Sequence, residues 1–183
     1  MRIISGSHKG RKIVAPKNLP IRPTTDMSKE SIFNIFLNEY DFNHISVVDL
    51  YSGSGNISFE FASRGVTQIT SVENNINCIK FIKKVSEELD LNLNVIKSDV
   101  VSFLKKTEIR CDIIFADPPY DFDEEYLKNI IELIFSNNLI KDDGTLVIEH
   151  SKHISLNEAE YFVSKRNYGS CFFSFFKKKR VLV

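Results

Sequence analysis

Residues 46–55 read Ser-Val-Val-Asp-Leu-Tyr-Ser-Gly-Ser-Gly, a short apolar run that breaks into a loop carrying two glycines. Ser46–Leu50 has the β-branched and apolar composition of a buried strand, and the residues from about 56 to 64 take up a helical pattern. A strand, a glycine loop and a helix in that order make the opening unit of an α/β sheet. In such sheets ligands sit beyond the carboxyl ends of the strands, where the strand order reverses. Gly53 and Gly55 let the backbone turn tightly and come close to a ligand. Asp49, at the strand end, is placed to hold a hydroxyl or an ammonium group.

Downstream of this unit the same rhythm repeats. Strands are predicted at Gln68–Val72, Leu93–Lys97, Asp112–Ala116 and Thr145–Glu149, with helices at about 75–89, 100–106 and 123–136 between them. The strands are short, rich in Val, Ile and Leu, and barely alternate, as expected when helices cover both faces. Alternation at this spacing predicts an α/β fold with a doubly wound parallel sheet. The last residues break the rhythm. Glu160–Tyr168 and Ser170–Lys177 meet at Gly169 and read as an antiparallel hairpin on the sheet edge.

Upstream, residues 2–5 and 11–15 flank Ser7-His8-Lys9-Gly10 as a small basic hairpin. An extended stretch with Pro16, Pro20 and Pro23 follows, and from about Asp26 a helix places Ile32, Ile35, Phe36 and Tyr40 on one face. The chain of 183 residues fits one domain, an extension (1–45) on a catalytic core (46–183). It shows no membrane span and no secretory signal, so a cytoplasmic protein is expected. Cys78, Cys111 and Cys171 are odd in number and far apart, and read as buried apolar residues rather than as zinc ligands or a disulfide framework. No metal is expected, and a monomer is the default.

The net charge is zero, but unevenly spread. Residues 1–25 hold six basic side chains and no acid, residues 161–183 hold six more and no acid, and all 24 acids lie between. If the fold joins the two ends, they make an electropositive patch of the kind that binds nucleic-acid phosphates. Lys9, Arg11 and Lys12, together with Lys177, Lys178, Lys179 and Arg180, are the candidate RNA contacts.

Two further acids extend the candidate cofactor site. Glu73 ends the second strand, 24 residues after Asp49, where a carboxylate can accept from ribose hydroxyls. Asp99 follows the third strand, where it can reach an adenine amine with the Val100 backbone beside it. Asn56-Ile57-Ser58 follows the two glycines, so the third glycine of a dinucleotide fingerprint is missing. An acid-led loop repels pyrophosphate and suits the cationic methionine end of S-adenosyl-L-methionine.

The fourth strand runs into Asp117-Pro118-Pro119-Tyr120, the most specific signal in the chain. Consecutive prolines cannot donate to a sheet or helix, so their carbonyls stand in a stiff loop. A carboxylate and a fixed carbonyl are two acceptors for the two hydrogens of an amino group, and Tyr120 offers a face on which a base stacks. An exocyclic base amine is a poor nucleophile because its lone pair is delocalised into the ring. Two acceptors draw its nitrogen towards sp3 geometry and aim the lone pair at a methyl carbon, catalysis by positioning and electrostatics.

With both motifs in place, the chain resembles the RsmD-type family of 16S rRNA guanine-N2 methyltransferases. The likeness runs through Met1–Gly6, Lys9–Lys12, Ile21–Asp26, Asp49–Gly55, Asp117–Tyr120, Glu149–Ser151 and the Tyr168-Gly169 hairpin. It implies a Rossmann-like class I methyltransferase fold, a seven-stranded, mostly parallel sheet with a C-terminal antiparallel hairpin. It implies methylation of a guanine N2 in 16S rRNA within an assembled or nearly assembled small ribosomal subunit. It also implies that Arg22, Thr24 and Asp26 help close over the methionine end of S-adenosyl-L-methionine. Asp49, Ser52, Gly53, Gly55, Glu73, Asn74, Asp99, Val100 and Asp117 would line the rest of that pocket. The chain departs from the family at Asp26-Met27-Ser28-Lys29-Glu30, where members usually read Asp-Arg-Val-Arg-Glu.

Rival readings stay open at this stage. The DPPY tetrapeptide is shared with DNA adenine-N6 and cytosine-N4 methyltransferases, although these generally need a separate region to read bases. A non-catalytic RNA-binding assembly factor would explain the basic ends without the chemistry. A nucleotide-binding oxidoreductase is disfavoured by the missing glycine.

Overall fold

The computed structural model describes residues 1–16, 19, 25–169 and 171–179. Seven strands form one sheet: β1 (Ser46–Leu50), β2 (Gln68–Glu73), β3 (Asn94–Lys97), β4 (Cys111–Ala116), β5 (Ile140–Ser151), β6 (Phe162–Tyr168) and β7 (Cys171–Phe176). Their order is β3-β2-β1-β4-β5-β7-β6. The first five are mutually parallel, and β7 and β6 are antiparallel additions at one edge. The chain winds outward from β1 to β3, then returns to lay β4 beside β1. That reversal puts the topological switch point between β1 and β4, where the glycine loop and the DPPY loop both emerge.

Helices cover both faces. On one face α1 (Asp26–Glu39) and α2 (Asn56–Ser63) pack Ile32, Phe33, Phe36 and Phe61 against Val47, Ile113, Phe115, Val147 and Phe173 of the sheet. On the other, α4 (Val100–Leu104) and α5 (Glu124–Ser136) bury Phe103, Leu127, Ile130 and Ile134 against Val48, Leu50, Ile114 and Leu146. The helices start where the sequence supplies caps. Thr25, Asn75, Asp99 and Asp123 each accept a backbone N–H of their own first turn, at the heads of α1, α3 (Ile76–Glu88), α4 and α5.

Folding adds two changes to the expected elements. Residues 2–5 and 11–15 form the expected small hairpin, with an Arg2–Lys12 bridge and bonds from the Ile3 amide to the Arg11 carbonyl and from the Ile13 amide to the Met1 carbonyl (both 3.0 Å). The addition is its docking. The Ile4 and Ser5 amides donate to the Glu60 carboxylate of α2 (2.8 and 3.1 Å). Gly6, at φ +87°, lies so close to Ser63 that a Cβ there would sit 1.8 Å from its carbonyl oxygen, so only glycine permits this docking. The second change is in β5, which extends to Ile140 rather than starting at Thr145. Cys111 pairs with Ile140 and Ile113 with Thr145, so the strand bulges between these points around Asp142-Asp143-Gly144.

Among the described residues the two basic ends are not joined. The N-terminal hairpin packs Ile3 and Ile13 on Phe59 of α2 and Ile82 and Val85 of α3, on the β2–β3 side. The C-terminal hairpin forms the opposite edge, four strand spacings from β2, or about 19 Å. Charge clustered at the two ends of a sequence is separated because each end is claimed by a different edge of the sheet.

Candidate active site

At the carboxyl ends of β1, β2 and β4 the molecule opens into a cavity of about 630 Å³, lined among others by Asp49, Gly53, Glu73, Asp99, Asp117 and Tyr120. That is within the usual range of small-molecule sites, roughly 300–1,000 Å³. Ser52, Asn74, Val100, Pro118 and Pro119 line it as well. Of the sequence-predicted cofactor residues, Gly55 and Asp26 stand outside this lining. Gly55, at φ +78°, precedes α2 and turns the loop into the helix; a Cβ there would meet Phe59 and Ile82 at 3.0 Å. Asp26 is held by Arg2, whose Nη2 lies 3.0 Å from Oδ2. Arg22 and Thr24 lie outside the described residues.

The loop is held by its own polar groups. The Ser52 hydroxyl donates to the Asp49 carbonyl (2.7 Å), and the Gly55 amide donates to the Ser52 carbonyl (2.7 Å). Glu73 accepts the Gly53 amide on one oxygen (2.8 Å) and the Asn74 and Asn75 amides on the other (2.9 and 2.8 Å). A carboxylate offers about four acceptor directions. One of these bonds ties the end of β2 to the glycine loop, two close the turn after β2, and a fourth direction is left for a ligand hydroxyl. Asp99 caps α4 through one oxygen, accepting the Ser102 amide (2.9 Å), which aims its other oxygen without freezing both.

Asp49 is almost fully buried and accepts from both the amide and the hydroxyl of Ser58. Burial pushes its carboxyl up to about 7, against the opposing pull of the Ser58 hydrogen bonds. The free folded chain therefore keeps a proton on Asp49 that the unfolded chain releases near 3.8. This group makes the chain less stable as the pH rises from about 4 to 7.

The DPPY loop stands opposite. The Asp117 amide donates to the Leu50 carbonyl (3.4 Å), so the loop is tied to the strand that starts the glycine turn. Pro118 is buried and Pro119 exposed. Of the two proline carbonyls expected to stand out, that of Pro119 accepts the Phe122 amide (3.2 Å), whereas among the described residues no backbone amide outside the helices and strands donates to that of Pro118. The Tyr120 hydroxyl donates to Glu149 Oε1 at 3.4 Å. Cys171 lies against the same buried corner; burial foremost, then the Glu149 carboxylate, pushes its thiol up to about 12. It is a small apolar residue here, as its sequence context suggested.

Sequence reading missed several of the cavity's walls. Tyr51, Asn56 and Phe122 line it. Tyr51 adopts φ 58° at the end of β1, which swings its ring towards Phe122 (6.1 Å between centroids), with its hydroxyl 3.1 Å from that of Tyr126. An aromatic next to each loop motif was the available signal, but its direction depends on a left-handed residue that composition does not reveal.

The candidate RNA contacts are scattered. Lys177 pairs with Glu39 (2.6 Å) and Lys178 with Asp142 (2.9 Å). Lys177 follows Phe176, which lies across from Leu146, so it sits at the end of the sheet away from Asp117. Lys9 lies in the turn that docks on Ser63, at the far end of α2 from the cavity. Arg11 and Lys12 are exposed on the hairpin's second arm, Lys179 follows the C-terminal strand, and Arg180 lies outside the described residues.

This geometry has close counterparts. The family described as Conserved hypothetical protein 95 matches residues 1–177. A Bacillus subtilis protein named putative rRNA methyltransferase YlbH is 34% identical over 187 residues, covering 98% of this chain and 100% of its own length. The ribosomal RNA small subunit methyltransferase D of Buchnera aphidicola is 34% identical over 156 residues, covering 85% of this chain and 78% of its own. Among solved structures, the putative methyltransferase yhhF from Escherichia coli superposes with a TM-score of 0.85 at 26% identity, covering 98% of both chains. The chain belongs to the RsmD-type methyltransferase family. Its mixed seven-stranded sheet is the expected methyltransferase fold.

Seen within the family, the departure at residues 26–30 separates into two cases. Met27 is exposed. Lys29 is wholly buried and donates to the Arg2 carbonyl (2.6 Å), Asn56 Oδ1 (2.8 Å) and Glu60 Oε2 (3.1 Å). The charge kept at Lys29 therefore works inside the protein rather than on a surface.

Proposed function

We propose that this chain methylates the exocyclic N2 amine of a guanine in 16S rRNA of the small ribosomal subunit, with S-adenosyl-L-methionine as methyl donor. The observation that carries the reading is the charge of the cavity. Four carboxyl groups line it (Asp49, Glu73, Asp99 and Asp117), no lysine or arginine does so among the described residues, and the DPPY loop stands at its rim. Such a lining suits a ligand with a sulfonium and an ammonium group and opposes a pyrophosphate.

When bound, S-adenosyl-L-methionine supplies an electrophilic methyl carbon whose sulfur leaves as a neutral thioether when the amine attacks. Glu73 accepts from the ribose, in the one direction its backbone partners leave. Asp99 and the Val100 amide receive the adenine edge, and Asp49 faces the ammonium end. Asp117 and the Pro118 carbonyl accept the two amine hydrogens, and Tyr120 supports the base. As the N–C bond forms, the positive charge passes to nitrogen, and one of the two hydrogens leaves towards Asp117 or water. The rRNA substrate and the choice of guanine N2 draw on the named relatives and the family resemblance, because acceptors for an amine do not by themselves select the base.

The test is to incubate the protein with labelled S-adenosyl-L-methionine and undermethylated small subunits, naked 16S RNA or duplex DNA, then digest and identify the nucleoside. N2-methylguanosine on the ribosomal substrates is expected; methyl-adenine or methyl-cytosine in DNA would transfer the assignment to a DNA amino-methyltransferase.

Cofactor affinity should also depend on pH. A cationic ligand favours ionised Asp49, whose carboxyl sits at about 7 in the free chain. S-adenosyl-L-methionine binding is expected to tighten about tenfold per unit as the pH approaches 7 from below, and to level off above it. Calorimetry in two buffers of different ionisation enthalpy should show one proton released per ligand at pH 6. A flat profile would remove Asp49 from the ligand's surroundings.

A further inference from the structure

With Lys177 and Lys178 paired, the positive charge level with the site comes, among the described residues, from side chains beyond the named candidate RNA contacts. β6 is the outer strand of the sheet, and Lys165, Arg166 and Asn167 on it are exposed. Register aligns Lys165 with Ser174 and Arg166 with Phe173, and these with Ile148 and Glu149 of β5. Ile148 in turn aligns with Ala116, the residue before Asp117. The basic pair is thus level with the DPPY loop, three strand spacings or about 14 Å to its side.

Lys152, in the turn after β5, adds a third cation. Its Nζ lies 6.0 Å and that of Lys165 4.8 Å from the centre of the half-buried Phe172 ring. The ring attracts both ammonium groups and restricts where they stand. None of Lys152, Lys165 and Arg166 has a carboxylate partner within 4.0 Å among the described residues, in contrast to Lys177 and Lys178. Burial holds the pKa of neighbouring His150 below its ordinary value, opposed by its bond to Ser151 and aided by the nearby Lys165, so its imidazole adds no charge.

We infer that Lys152 and Lys165, held over Phe172, together with the adjacent exposed Arg166 of the same edge strand, form the surface that seats the sugar-phosphate backbone of the substrate RNA beside the DPPY loop. The inference rests on the RNA-methyltransferase reading above. Two ammonium groups held over one ring, with a guanidinium beside them on the sheet edge, offer several contacts to a phosphate backbone that passes the rim of the cavity. Phosphate contacts of this kind set register and carry no sequence information.

The test measures binding of labelled, in vitro transcribed 16S RNA across a salt series. The parent is compared with the triple variant Lys152→Ala/Lys165→Ala/Arg166→Ala. A second triple variant, Lys83→Ala/Lys105→Ala/Lys106→Ala, removes three exposed cations elsewhere. The first variant should bind at least tenfold more weakly at low salt, with the slope of log affinity against log salt reduced by about 2. The second should stay within about threefold of the parent, because the effect is local. S-adenosylhomocysteine binding, unchanged in all three proteins, shows that the fold and the cofactor site are intact. Lys165→Arg should retain parental RNA binding. If the parent methylates ribosomal RNA and the two triple variants bind it equally well, the surface is overturned and the enzyme reading stands. If the parent neither binds nor methylates RNA, both fall together.

Discussion

Asp117→Asn is expected to reduce methyl transfer on the order of 100- to 1,000-fold, the usual cost of losing one aligned polar group at a reacting centre. The substitution preserves size and leaves the amide tie to Leu50 in place. It removes the carboxylate's charge and one of its two acceptor oxygens, putting an NH2 donor in that place. Loss should appear in the single-turnover rate on undermethylated small subunits. S-adenosylhomocysteine affinity, measured by calorimetry, should shift by no more than a few-fold, because Glu73, Asp99 and the glycine loop still hold the ligand. A variant retaining more than a tenth of the parental rate would remove Asp117 from the chemistry. Unchanged RNA modification combined with intact RNA binding would revive the assembly-factor reading.

Lys29→Met should destabilise the chain by about 3 kcal/mol, the lower part of the range for breaking a buried ion pair. Lys29 and Glu60 are both fully buried, 3.1 Å apart. Burial lowers the Lys29 pKa, and the Glu60 carboxylate opposes that shift. Methionine fills the same volume but leaves the Arg2 carbonyl and Asn56 Oδ1 without their donor. The loss stays near the low end because Glu60 keeps Arg64 at 2.7 Å and the amides of Ile4 and Ser5. Glu60→Leu should therefore cost more than Lys29→Met, since it strips partners from two cations and two amides at once. Urea denaturation of the two variants checks the order. Equal midpoints with the parent would mean that the pair contributes nothing net. Because Asn56 lines the cavity, Lys29→Met should also weaken cofactor binding beyond what the stability change explains.

The strand and helix order, and the two loops that make the site, could be read locally. Ser46–Leu50 was matched residue for residue, and the predicted helices at 75–89 and 123–136 differ from α3 and α5 only by the capping residues Asn75, Leu89 and Asp123. Proline and glycine stereochemistry, a capping side chain and an apolar run act within a few residues, so they survive any tertiary arrangement. The hairpin at 2–5 and 11–15 was legible, but its docking was not, because the Ile4 and Ser5 amides donate to the carboxylate of Glu60, more than fifty residues away. The length of β5 was underestimated because Lys141-Asp142-Asp143-Gly144 has loop composition, yet is carried into the sheet by pairing at both ends.

What the sequence determined by itself is therefore the α/β winding, the acid-led glycine loop and the DPPY tetrapeptide, all of them products of short-range sterics and periodicity. What only the tertiary structure decided is where each charge ends up. Lys29 became an internal strut, Lys177 and Lys178 were paired at the end of the sheet away from the site, and Lys152, Lys165 and Arg166 were brought level with it. Electrostatic roles depend on distance and burial, and both are set by which strand lies beside which. Sheet order is a long-range property that no local stretch of the chain encodes alone.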